Sequence, residues 1–117
     1  MKKLTVIVPH TSLHSIRSAL YRTYDNKYDF DIIVLYDKDL LEPEDYPVLK
    51  REAYSKLSQL SQQHHDSKVA LCLTGSYAAC VIVYDILRRL NYDVILLQFD
   101  VHRKRYIELS THDEQDI

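Results

Sequence analysis

Apolar positions along the chain fall into short continuous runs that alternate with longer segments of helical spacing. Residues 4–8 (LTVIV) form a nearly unbroken β-branched run closed by Pro9, which predicts a strand. Leu13, Ile16, Leu20 and Tyr24 then recur at spacings of three and four, predicting a helix with Thr11 or Ser12 as its N-cap. Asp25, Asn26 and Lys27 close that helix with turn chemistry that needs no glycine. Residues 30–36 (FDIIVLY) predict a second strand, and residues 43–47 an irregular, acidic lead into a second helix. That helix is expected over 48–64, with Leu49, Ala53, Leu57 and Leu60 on one face.

The run at 69–73 is too short for a helix and ends in the turn Thr74-Gly75-Ser76, so it predicts a buried strand. A third helix follows over 77–90, with Asn91 as its stop. Residues 93–99 (DVILLQF) predict a fourth strand, and 105–109 (RYIEL) alternates as a half-exposed strand does. The few residues between these two suit a hairpin, so the last strand is expected to be antiparallel and at an edge.

The order is β-α-β-α-β-α-β-β. It predicts an α/β, Rossmann-like fold with a mainly parallel sheet, one domain over 1–110, and an acidic, frayed tail over 111–117. In such folds ligands gather beyond the carboxyl ends of the strands, where the strand order reverses. The segments Pro9 to Ser12, Tyr36-Asp37 and Thr74 to Ser76 are therefore expected on one rim. The third helix reads as apolar almost all round, interrupted by Asp85, Arg88 and Arg89, so it needs burial on two sides. A second subunit is expected on one of them, giving a two-fold homodimer and a composite pocket.

Composition narrows the chemistry. A chain of 117 residues can hold a real core, and its net charge of −2 argues against a duplex-coating protein while allowing a small anion in a local pocket. Cys72 and Cys80 lie inside apolar runs and read as buried free thiols, and no run is long enough to cross a bilayer. A cytoplasmic location is expected. His64-His65 has only Asp66 beside it, and His10 precedes the helix that carries His14, so no metal site or cofactor is predicted. Ten tyrosines without a tryptophan have no physical account beyond stacking and interface preferences.

Gly75 is the only glycine. At a strand-to-helix junction it serves a positive φ or a backbone that tolerates no side chain, and the helix start behind it presents N–H groups to an anion. Turn geometry alone would also explain it.

Three stretches together resemble the small single-domain CARF-like proteins of type III CRISPR systems, which bind cyclic oligoadenylates and in several cases cleave them as ring nucleases. They are VPHTS (residues 8–12), LTGSYAACVIVYDILRRL (73–90), and VILLQFD followed by RYIEL. Where relatives continue the first loop with Leu-Thr and a Gln, this chain has Leu13-His14-Ser15. The resemblance implies that Gly75 and Ser76 N–H groups, with the hydroxyls of Thr11, Ser12 and Ser76, hold phosphates, and that Thr74 is among the ligand-binding residues. Tyr36 or Tyr77 would stack on adenine, and Arg103 or Lys104 would clamp a departing oxygen. His10, with Ser12, would serve a metal-independent cleavage in which a ribose 2′-hydroxyl attacks the adjacent phosphate. Cyclic tetra-adenylate is the expected ligand. The alternatives are a non-enzymatic interaction protein, of mobile-element origin, and a mononucleotide-binding module.

Overall fold

The structure is a computed structural model that describes residues 2–11, 15–63 and 68–109. Its elements are β1 (Lys2–His10), α1 (Ile16–Tyr24), β2 (Tyr28–Tyr36), α2 (Asp45–Gln63), β3 (Lys68–Leu73), α3 (Tyr77–Arg89), β4 (Asp93–Asp100) and β5 (Arg105–Leu109). One five-stranded sheet runs in the order β2-β1-β3-β4-β5. All neighbours are parallel except β4 and β5, which pair antiparallel as the hairpin spacing predicts. The fold is therefore α/β with a mixed, mostly parallel sheet, and the strand order reverses between β1 and β3.

The core has two halves, one on each face of the sheet. On one face Leu4, Val6, Val8, Ala70, Cys72, Leu97 and Tyr106 pack against Ala19, Leu20 and Tyr24 of α1. On the other, Ile7, Leu35, Val69, Leu71 and Val94 meet Leu49, Ala53 and Leu57 of α2 and Ala79, Val83, Ile86 and Leu87 of α3. Alternation along each strand divides the two sets, so both faces of the central strands are buried.

Three element boundaries differ from the sequence reading for a local reason. β1 runs through Pro9 to His10 because pairing with β3 ends at Ile7 while pairing with β2 continues, so the missing N–H of Pro9 breaks no ladder with β3. α1 starts at Ile16, with Ser15 as an N-cap whose side chain makes no cap bond. Thr11 does not cap it and instead donates to Asp37 Oδ1 at 3.1 Å. Ser12, Leu13 and His14 lie outside the described residues. α2 begins at Asp45 rather than Val48. Pro47 then falls in the first turn, where a helix has no use for its N–H.

α3 keeps its expected bounds to within a residue. Its apolar circumference is covered by the sheet and by α2, and its outer side leaves Tyr77 90% and Val81 67% exposed. α2, on the same face of the sheet, thus covers part of the side on which a second subunit is expected. Helix ends elsewhere follow the reading. Asp25 and Asn26 close α1 with φ of 49° and 64°. Asn91 closes α3 at φ 66°, with Asn91 N–H donating to Arg88 O and Tyr92 N–H to Leu87 O. Among the described residues no helix is long and apolar enough to cross a membrane. The acidic tail and the His64-His65 pair lie outside the described residues.

Candidate functional site

The carboxyl ends of β1, β2 and β3 meet at the reversal of strand order, and His10 is the side chain that joins them. It sits at the end of β1, only 3% exposed. Its Nδ1 lies 3.1 Å from Lys38 O in the loop after β2, and its Nε2 accepts the Ser76 N–H at 3.2 Å in the loop after β3. A carbonyl can only accept and an N–H can only donate, so this arrangement requires the tautomer with hydrogen on Nδ1. Neither ring nitrogen is left for a bound molecule.

The same ring explains the glycine. Gly75 has φ +52°, and a Cβ built on it would stand 2.7 Å from His10 Nε2 and 2.8 Å from Cε1. Both reasons offered by the sequence, the left-handed backbone and the close approach, apply together. The approaching group is an imidazole rather than a phosphate.

Ser76 is the N-cap of α3, its Oγ accepting from Ala79 N–H at 3.1 Å. Its own N–H goes to His10. Within the first turn this leaves the Tyr77 and Ala78 N–H groups without a helical acceptor, and both residues are exposed. Thr74, one residue before the turn, is 5% exposed, and its Oγ1 is buried without a hydrogen-bond partner. Its carbonyl accepts from Cys80 Sγ at 3.4 Å.

A second set of polar groups closes the rim from α2. Asp45, 6% exposed, accepts from Tyr36 OH at 2.9 Å, from Lys38 Nζ at 2.8 Å and from Glu42 N–H at 2.7 Å. These donors, the Glu42 amide first, hold its carboxyl down to about 2. The hydrogen bond to Asp45 raises Tyr36 and Lys38 in turn. Tyr46 OH lies 3.4 Å from Ser76 Oγ and ties this set to the start of α3.

The structure thus brings His10, Thr11, Tyr36, Thr74, Gly75, Ser76 and Tyr77 to one rim, and the sequence reading missed Lys38, Asp45 and Tyr46. An acidic residue in the first turn of a helix, as Asp45 is, was the available signal. Ser12 lies outside the described residues. Arg103 is placed elsewhere, in a cleft of about 560 Å³ that it shares with Lys27, Asp100, Arg105 and Glu108 and with no residue of the rim. Its guanidinium is 3.8 Å from Asp100, whose Oδ1 also takes the His102 and Arg103 N–H groups of the hairpin turn. Lys104, at φ 57°, completes that turn. Among the described residues no His, Cys, Asp or Glu cluster could hold a metal ion. No family model, curated protein or solved structure matches the chain.

Proposed function

We propose that this chain binds a cyclic oligoadenylate, cyclic tetra-adenylate first, at the start of α3. Two copies would face each other there in a Rossmann-like, CARF-like dimer serving CRISPR antiviral signalling. The carrying observation is the buried, unpartnered Thr74 Oγ1 beside two exposed N–H groups of a helix N-terminus. In this reading a phosphate takes the Tyr77 and Ala78 N–H groups, and the Thr74 hydroxyl, buried as it stands, turns outward to join them. The Tyr77 ring, 90% exposed at the same turn, offers a face for adenine, and such stacking contributes about 1–3 kcal/mol per base.

The reading is one of binding. His10 gives both nitrogens to the fold, so cleavage would require another base or release of the Ser76 N–H.

Calorimetry with cyclic tetra-adenylate tests this, with the Thr74→Val chain beside wild type. Wild type should release or take up heat with micromolar or tighter affinity. Thr74→Val removes an unpaired buried hydroxyl, so it should keep or raise stability by about 1 kcal/mol while weakening binding about tenfold. No heat with cyclic tetra- or hexa-adenylate overturns the reading. Linear products in a chelator-treated reaction would extend it to a ring nuclease.

A further inference from the structure

A cleft of about 600 Å³ runs between α2 and α3, away from the rim. Ile86, 4% exposed, contributes to its floor. Lys50, Arg51 and Tyr54 line it from α2, and Asp85 and Arg89 from α3. Arg89 Nε is 2.8 Å from Asp85 Oδ2. Lys50 and Arg51 are exposed and pair with no carboxylate among the described residues. The cleft therefore carries an excess of two positive charges in a chain whose net charge is −2. Tyr54 is 53% exposed and lines the same cleft.

We propose that this cleft is a second ligand site, for a nucleoside phosphate. The chemistry of the lining matches that class part by part. Lys50 and Arg51 of α2 and Arg89 of α3 line the cleft from two helices and offer donors to a phosphate, for which guanidinium groups supply paired ones. Asp85 is an acceptor for ribose hydroxyls, and the Tyr54 ring offers a face for the base. The cleft volume lies in the range of small-molecule sites. An acidic helical peptide would need a stripe of apolar anchors along the groove, and Ile86 and the Tyr54 ring do not make one. A polynucleotide would need a longer track of cations and a basic chain. The start of α3 lies about two turns from Asp85 along the helix, and no residue of the rim lines this cleft.

The test is a titration of the ¹⁵N-labelled chain with AMP, adenosine and inorganic phosphate in separate arms. AMP should move the amides of Arg51, Tyr54, Asp85 and Arg89 saturably, and adenosine or phosphate alone should bind at least about tenfold more weakly. Lys50→Glu with Arg51→Glu, both at exposed positions, should abolish the shifts, and Tyr54→Ala should weaken binding about tenfold. Shifts of equal affinity with inorganic phosphate overturn the proposal, as does the absence of shifts in the cleft. Shifts confined to Gly75, Ser76 and Tyr77 overturn it too, while leaving the reading of the rim standing. Cleft shifts with AMP in a chain that gives no heat with cyclic oligoadenylate would leave this site and remove the other.

Discussion

Among the described residues five have positive φ: Asp25, Asn26, Asn91 and Lys104 manage it without glycine, and Gly75 does not. The four lie at turns, and left-handed backbone costs a side-chain-bearing residue only about 1–2 kcal/mol. At position 75 a buried imidazole occupies the space of a Cβ, and its two hydrogen bonds keep it from moving aside. Gly75→Ala should therefore destabilise the fold by about 2–4 kcal/mol, more than backbone strain alone. Urea unfolding reads this as a lower midpoint at unchanged slope. The clash has one partner, so His10→Ala and Gly75→Ala together should cost less than the sum of the single changes. Strict additivity would mean that the ring does not hold the turn. Ser76→Ala should cost about 1 kcal/mol as a lost cap, which makes Thr74 the better position for separating ligand binding from folding. The sequence shows a lone glycine at a junction, but its reason stands 65 positions earlier, at the end of β1. No local spacing rule reaches that far.

The boundaries that were legible and those that were not separate cleanly by mechanism. Both ends of α3 are written in adjacent residues, Ser76 as cap and Asn91 as left-handed stop. The start of α1 is not, because Thr11 spends its hydroxyl on Asp37 of another loop. The start of α2 was hidden by Pro47, which reads as a breaker although a first turn tolerates it. Asp45 at that start is where the acid sensitivity of the fold should reside. Its folded-state carboxyl titrates at about 2, against about 3.9 for a free aspartate. A depressed carboxylate stabilises the folded state above its unfolded value and loses that contribution as pH falls through the folded one. Stability should hold down to about pH 4 and decline between about 4 and 2. In Asp45→Asn this limb of the curve should flatten, and the neutral-pH stability should drop because Lys38 and Glu42 lose a charged acceptor. An unchanged acid limb in thermal melts of Asp45→Asn would place the sensitivity on other carboxylates.

At the scale of the whole molecule, the α2–α3 side keeps an apolar surface that the fold itself does not cover. The outer turn of α3 exposes Tyr77 and Val81, and β5 exposes Ile107 at 45% and Leu109 at 39%. Alternation puts Tyr106 on the α1 side, so Ile107 and Leu109 share the side of the sheet that α3 occupies. Two contacts between copies are available, and they have opposite consequences for the proposed pocket. Pairing through α3 brings two helix starts together, whereas pairing through the β5 edge extends the sheet and leaves each start alone. A charge at the contact separates them. If α3 forms the contact, Val81→Arg should convert a dimer into a monomer in sedimentation velocity at tens of micromolar, and it should weaken cyclic tetra-adenylate binding at least about tenfold. Ile107→Arg should leave both unchanged. The reverse pattern would assign the interface to the sheet edge, and a chain that is monomeric throughout would leave Tyr77 and Val81 as ordinary surface and the pocket confined to one copy.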